Sequence, residues 1–314
     1  MPLVFLSSSA VRTASFSILP KTTVLGLVGK NVIPTSSSAL FMSSTTTTTT
    51  DNKEETTSSS SNDATTTTTT TTTEGPLLPP VDKDSKRLFL VRHGEVINPG
   101  GDRPVYYGAM DVSLSPLGKQ EAVAAAQYLS QHNLYLVACS PLSRAVYGAN
   151  QVLTLQKEQQ QPKDVVRDDD LVVLEGFTEL DRGAWCGKTK EEIGQDAMNR
   201  FDACDESVTP VGGESFPALK RRVLAARDEI LAQTPPGQAS AVVSHLQVTR
   251  SMLSEALGIP TNQMAQLGIA TASITCIDYH PQDTNDDNSI LPTTVHFQSF
   301  KPNVGLSESK DGAN

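Results

Sequence analysis

Leu88–Val96 reads LFLVRHGEV. Four apolar residues run directly into an arginine, a histidine and a glycine. A short apolar run bounded by a turn residue is the pattern of a buried strand. Such a strand has no need of two cationic groups at its end. One account is a strand that has reached the surface and shows polar residues to water. The other is a ligand site, and the rest of the chain decides between them.

Working outward, the pattern alternates. Ser115-Pro116 opens a helix, with Ser as N-cap and Pro at the first helical position, and Glu121, Ala122, Ala125, Ala126 and Leu129 continue it. Leu134–Ala138 is the next strand-like run. Ser140-Pro141 repeats the start signal before a helix through Ala145, Val146, Ala149 and Val152. Thr189-x-x-Glu192 is a capping box. Val223, Leu224, Ala226, Ile230 and Leu231 have helical spacing, and Ala239–Val243 reads as a strand followed by a helix that stops at Gly258 and Pro260. Ser273–Tyr279 and Thr294–Phe300 read as two strands across a polar loop, a terminal hairpin or an edge pair. Strands alternating with helices predict an α/β domain with a largely parallel sheet. Ligands of such open sheets bind beyond the carboxyl ends of the strands.

Composition bounds the rest. Thr45–Thr50 and Thr65–Thr73 are unbroken threonine runs, with Ser58–Ser61 between them. A segment with so little apolar surface does not offset chain entropy, so 51–85 is expected to be a disordered linker. Residues 1–50 contain Arg12, Lys21 and Lys30 but no acidic residue, and are rich in Ser and Thr. That is the composition of an organellar transit peptide, mitochondrial or plastid. The folded domain is expected over 86–303, followed by a flexible tail at 304–314. Net charge is −10; residues 1–80 hold 4 of the 25 Lys+Arg and 5 of the 35 Asp+Glu, so residues 81–314 carry −9. An acidic domain argues against nucleic acid and anionic membranes as partners. No stretch approaches the roughly twenty apolar residues of a membrane span. Cys139, Cys186, Cys204 and Cys276 lie far apart, without metal-ligand spacing, and read as free thiols.

Three strand-like runs end in polar groups of one kind: Arg92-His93-Gly94, Ser140 to Arg144, and Ser244-His245. If these strands are parallel neighbours, two arginines and two histidines converge at one edge. Taken singly, each is an ordinary surface charge or a structural histidine. Together they describe a cradle for a phosphate, which carries close to two negative charges near neutral pH. Phosphoryl transfer is mainly positioning and charge stabilisation, and a neutral imidazole is a competent nucleophile. His93 suits that role, with Gly94 letting the backbone approach the phosphate. The leaving oxygen needs a proton, which calls for a carboxylic acid. Glu179, within FTELDRGAWCGKT (Phe177–Thr189), and Glu175 are the candidates. Spacing alone leaves both open.

Six motifs follow in order: Arg92-His93-Gly94-Glu95; Gly108-x-x-Asp111-x-x-Leu114-Ser115-x-x-Gly118; Ser140-Pro141-Leu142-x-Arg144-Ala145; Glu179-x-x-x-Gly183-x-Trp185-x-Gly187; Gly213-Glu214-Ser215; and Val243-Ser244-His245. This order resembles the histidine phosphatase superfamily, in its phosphoglycerate-mutase-like branch. The resemblance implies a three-layer α/β/α sandwich with a mostly parallel central sheet. It implies a phosphohistidine intermediate on His93 and phosphate contacts from Arg92, Arg144 and His245. It favours Glu179 over Glu175 as proton donor, leaves Glu95 a lesser partner, and implies neither metal nor organic cofactor. Asn98 matches the family's asparagine after the first motif, five residues beyond His93 where six is common. Gly108 is a further candidate for substrate contact. Where the family often has glycines after the second histidine, this chain has Leu246-Gln247, and Leu246 is expected to reshape the pocket mouth.

The resemblance implies a phosphatase acting on a small phosphorylated substrate. Cofactor-dependent phosphoglycerate mutases carry a longer, more basic insert between the proton donor and Gly-Glu-Ser. Here Glu179 and Gly213 are 34 positions apart, which disfavours the mutase. A silent phospho-ligand-binding scaffold is the third reading, and its mark would be a lost catalytic group. All five of Arg92, His93, Arg144, Glu179 and His245 are present.

Overall fold

The computed structural model describes residues 75–159, 171–281 and 291–302. Its chain runs β1 (Lys86–Arg92), α1 (Pro116–Leu129), β2 (Leu134–Cys139), α2 (Ser143–Gln159), β3 (Leu171–Val173), α3 (Lys190–Ile193), α4 (Gln195–Asp202), α5 (Phe216–Gln233), β4 (Ala239–Ser244), α6 (Leu246–Ala256), β5 (Ile274–Tyr279) and β6 (Thr293–Phe300). The strands form one sheet in the order β3-β2-β4-β1-β5-β6. The first four are mutually parallel, and β5 and β6 are antiparallel additions at one side. The terminal pair is the edge pair the sequence suggested.

Alternation along β1 decides the layering, because successive side chains of a strand point to opposite faces. Leu88 and Leu90 enter a core with Phe177, Leu219, Val223, Ile230 and Met252, beneath α5 and α6. Phe89 and Val91 enter a second core with Ala125, Leu129, Ala145 and Ala149, beneath α1 and α2. The result is the expected three-layer α/β/α sandwich. Leu88, Phe89 and Leu90 are fully buried. Burying each such side chain contributes about 1.5–3 kcal/mol.

Helix starts follow the sequence signals unevenly. Ser115 caps α1 by accepting from Gly118 N–H at 3.0 Å, with Pro116 first in the helix. Thr189 and Glu192 form both halves of the capping box, but the helix they open, α3, has only four residues. Ser140-Pro141 does not start α2. The helix begins at Ser143, whose N–H and Oγ both donate to Asp111 Oδ1 (2.9 and 2.7 Å), so a distant carboxylate replaces the expected local cap. The strand β3 carried no strong local pattern; it exists because it pairs with β2 over three residues.

One boundary is corrected. Residues 75–85, expected to lie in a disordered linker, pack on the domain. Leu78 and Val81 rest against the second core. Tyr128 Oη donates to Pro76 O (3.2 Å), and Arg87 Nη1 to Pro79 O (2.9 Å). The prolines and Leu78 supply the apolar contact that the threonine runs lack. The expectations for 1–50, 51–74 and 304–314 lie outside the described residues.

Candidate active site

The order β2-β4-β1 sets three carboxyl ends side by side. The ladders continue past the strands: His93 N–H donates to Ser244 O at 2.9 Å, and Ser140 N–H to Val243 O at 3.1 Å. Arg92-His93, Ser140 and Ser244-His245 are therefore held by backbone bonds at one level. The two imidazoles stand 5.1 Å apart, edge to face.

His93 Nδ1 is 2.7 Å from Gly94 O. A carbonyl only accepts, so Nδ1 carries the proton and Nε2 keeps its lone pair. Arg144 Nε–H donates toward that Nε2 at 3.3 Å. Burial first, then the charges of Arg144 and Arg92, hold the His93 pKa well below its ordinary value. The imidazole is thus neutral near pH 7, as a nucleophile requires. His245 is shifted the same way, by burial and then by Arg144. Its Nε2 lies 2.7 Å from Ser140 Oγ, while its Nδ1 is buried and has no partner among the described residues. Buried polar atoms are nearly always paired, so Nδ1 suits a ligand oxygen.

The arginines are fixed mainly by carbonyls. Arg144 Nη1 donates to Met110 O (2.7 Å) and Nη2 to Gly108 O (2.8 Å). Arg92 Nη1 donates to Ile269 O at 2.6 Å. The loop before β5 does more than receive Arg92. Ala272 N–H donates to His93 O (3.0 Å), with Ala272 in the left-handed region at φ 51°, and Leu267 O accepts from Arg250 Nε (2.7 Å).

The structure separates the two glutamates. Glu179 is 2% exposed; its Oε1 accepts from Leu180 N–H (2.7 Å) and its Oε2 from Gln247 N–H (3.3 Å), beside His245. Glu175 is exposed on a single turn. The charge of Glu179 is also felt by Arg144 and Arg250.

Three substrate-contact candidates are placed otherwise. Asn98 is used by its own loop: Nδ2 donates to Val105 O, and Oδ1 accepts from the N–H groups of Gly100 and Val105. Leu246 is 6% exposed and packs in the first core, so it does not shape a pocket mouth. Gly108 acts through its carbonyl on Arg144. It has φ 45°, and a Cβ there would meet Leu180 O at 2.4 Å. Gly94 also differs from expectation. Its Cβ would lie 2.1 Å from Gly118 O, so glycine there lets the turn rest on the start of α1. Glu95 reinforces this seam, accepting from Ser115 Oγ (2.7 Å) and donating its N–H to the buried Glu121 Oε2 (2.8 Å).

Sequence reading missed Ser140 as the partner of His245, named Gln247 only as a departure from the family's glycines, and gave Arg182 and Arg250 no role. Ser140 stood in a recognised motif, but was read as a helix cap. Arg182 lay within the quoted loop. Arg250 is five residues after His245 on α6, a helix the sequence marked only by its stop at Gly258 and Pro260.

The sequence profile of the histidine phosphatase superfamily (branch 1) matches residues 88–286. A bifunctional protein of Mycobacterium tuberculosis is 34% identical over 200 residues, which are 62% of this chain and 50% of that protein. The chain thus spans about half the length of that relative. Phosphoserine phosphatase 1 of Hydrogenobacter thermophilus is 30% identical over 218 residues, 68% of this chain and 95% of the relative. The structure of a mycobacterial glucosyl-3-phosphoglycerate phosphatase complexed with VO3 matches with a TM-score of 0.56 and 26% identity, covering 68% of this chain and 99% of that one. A profile match across 88–286 and a relative aligned along nearly its whole length place the chain in the histidine phosphatase superfamily.

Proposed function

We propose that the protein is a phosphatase that hydrolyses a small phosphomonoester through a phosphohistidine on His93. The observation that carries this is the fixed tautomer of His93: Nδ1 is tied to Gly94 O, and the Nε2 lone pair faces Arg144. Nε2 attacks phosphorus and the ester oxygen leaves, taking a proton from Glu179. A water then gives a proton back to Glu179 and attacks the phosphohistidine, releasing phosphate and neutral His93. Arg92, Arg144 and His245 Nδ1 bind the equatorial oxygens, where preorganised donors lower the barrier. The relatives that are phosphatases support hydrolysis over mutase chemistry. So does the short segment between Glu179 and Gly213.

The test is rapid quench with a 32P-labelled phosphomonoester. Wild type should accumulate an acid-labile, base-stable label, and His93→Ala should show neither label nor turnover. Equal hydrolysis by wild type and His93→Ala would remove His93 as nucleophile. Faster interconversion of phosphoglycerates than phosphate release would make the protein a mutase. Among the described residues no helix is long and apolar enough to cross a membrane. We further infer that residues 1–50 direct the chain to an organelle, on their cationic, acid-free, Ser/Thr-rich composition. A fluorescent fusion of these residues that stays diffuse in the cytosol would refute this.

A further inference from the structure

Glu179 reaches the site from a stretch without regular structure, between the single turns Glu175–Phe177 and Gly183–Trp185. Phe177 and Leu180, on either side of it, are fully buried. Apolar burial has no direction, so it sets the depth of this stretch but not the rotation of its peptide planes. Its carbonyls belong to no helix and no strand ladder, and a carbonyl held away from water needs a partner. Three of them converge on one side chain, Arg222 of α5. Nη1 donates to Gly176 O (3.0 Å) and Thr178 O (2.7 Å), and Nη2 donates to Glu179 O (3.2 Å).

The rest of the guanidinium is braced. Arg222 Nε and Nη2 donate to Glu214 Oε1 and Oε2 at 2.7 and 2.8 Å, a bidentate pair. All five guanidinium N–H groups are then in use, which leaves none for a substrate. Glu214 also grips the stretch through its main chain, donating its N–H to Asp181 O at 2.9 Å. The platform is firm, because α5 enters the first core through Leu219, Val223 and Ile230. Gly176 lies flat on it: a Cβ there would meet Ala226 Cβ at 2.6 Å and Arg222 O at 3.2 Å. One peptide unit carries the clamp to the carboxyl group. The Glu179–Leu180 peptide presents its carbonyl to Arg222 Nη2 and its N–H to Glu179 Oε1, at 2.7 Å. A peptide unit is planar and trans, so its oxygen and hydrogen turn together. A rotation that frees the carbonyl from Arg222 also withdraws the N–H that fixes the carboxyl.

We propose that Arg222, braced by Glu214, is the positioning residue that aims the Glu179 carboxyl at the leaving oxygen. This rests on the reading of Glu179 as proton donor. The test compares kcat/KM, which reports on cleavage of the ester, for 4-nitrobenzyl phosphate and p-nitrophenyl phosphate. The two are alike in shape, but only the first has an alkoxide leaving group that needs a proton. In Arg222→Gln the alkyl-to-aryl ratio should fall roughly 10- to 100-fold, the cost of a misplacement of about 1 Å. Arg222→Lys keeps the charge but not the fork and should fall nearly as far. Glu214→Gln should fall in the same direction. The ratio within one preparation is independent of how much of the variant is folded. Adding Arg222→Gln to Glu179→Gln should lower the ratio no further, because a positioning residue acts only through the group it positions. An unchanged ratio in Arg222→Gln beside a lowered one in Glu179→Gln overturns the proposal and leaves the proton donor in place. A wild-type ratio in Arg222→Lys, or losses that multiply in the double variant, would make Arg222 act by its charge or by another route, and either overturns the proposal. A ratio unchanged in Glu179→Gln overturns the proton-donor reading, and the aiming role with it. Amide hydrogen exchange tests the clamp without any substrate. Exchange across 176–181 should rise roughly tenfold or more in Arg222→Gln while β1 is unchanged. Equal exchange across 176–181 overturns the proposal.

Discussion

Lowering the pH from 7.5 to 5.5 should destabilise the fold mainly through its buried histidines. His93 and His245 are 2% and 0% exposed, and burial with the neighbouring arginines keeps both pKa values well below 6.5. In the unfolded chain each imidazole takes up a proton near pH 6.5. The unfolded state therefore binds more protons below that pH, and stability rises with pH across the window. At pH 7.5 the contribution is close to zero. At pH 5.5 an unfolded histidine is about nine-tenths protonated, which favours unfolding by about 1.4 kcal/mol per buried neutral histidine and about 3 kcal/mol for the pair. His132, also shifted down by burial, adds in the same direction. Carboxylates whose pKa is lowered, such as Asp278, lose their contribution only at lower pH, as they protonate. The assay is urea unfolding at both pH values in a buffer free of phosphate. Wild type should lose about 3 kcal/mol more than a variant carrying His93→Gln and His245→Gln, and each single variant about half that difference. A difference of this size is a large fraction of a domain's stability. Equal losses in wild type and the double variant would show that the two imidazoles are protonated in the fold, and the neutral-nucleophile reading would fall with it.

Three further outcomes follow from named contacts. Gly94→Ala should destabilise by about 1–3 kcal/mol in urea unfolding, because its Cβ meets the Gly118 backbone and no side chain is there to move aside. Glu179→Gln should lower kcat on an alkyl phosphate by roughly 10²–10⁴-fold and much less on p-nitrophenyl phosphate, whose leaving group needs no proton; Glu175→Gln should leave both unchanged, since that carboxylate is exposed. Asp278→Ala should cost about 3–5 kcal/mol, because it strands Arg87, whose Nε and Nη2 donate to Asp278 at 2.6 and 2.8 Å in a buried pair. Thermal denaturation of Asp278→Ala beside activity per folded molecule would check this, with kcat unchanged. The pair sits at the start of β1, about 20 Å along the strand from His93.

The parts of the site that were legible lie within a few residues of a recognisable pattern. Leu88–Val91 announced a strand, and the next residues are His93 and its arginine. Their convergence with Arg144 and His245 needed only the inference that three strands are parallel neighbours, which strand-helix alternation supplies. Contacts that join distant segments were not legible. Asp111 capping α2 from 32 residues away and the Ile269 carbonyl on Arg92 from 177 away leave no local signature. Asn98 and Leu246 failed for a related reason. Each was assigned by its offset from a histidine, whereas a side chain's direction depends on what surrounds it. Asn98 found three backbone partners in its own loop, and Leu246 found the core. Residues 75–85 were misjudged because composition measures what a segment could bury by itself, and these residues use apolar surface that the domain already offers.

The arginines of this chain divide by what holds them. Away from the site they meet carboxylates, Arg87 meeting Asp278 and Arg200 meeting Asp205; Arg222, which meets Glu214, also donates to the carbonyls of Gly176, Thr178 and Glu179 and so stands between the two groups. At the site Arg144 and Arg250 are held by backbone carbonyls, and Arg182 by aromatic rings. A carbonyl fixes the geometry of a guanidinium but leaves most of its charge unanswered. A carboxylate would do both, and would compete with an anionic ligand. The acidic domain, net −9 over residues 81–314, thus keeps a local positive field by withholding carboxylates from a few arginines rather than by adding cations. Burial first, and then this same field, lowers the proton affinity of His93 and His245. Anion binding therefore shares with the neutral nucleophile the part of the shift that the arginines supply. A substitution that placed a carboxylate against Arg144 would weaken both at once, by occupying the charge and by letting His93 take a proton.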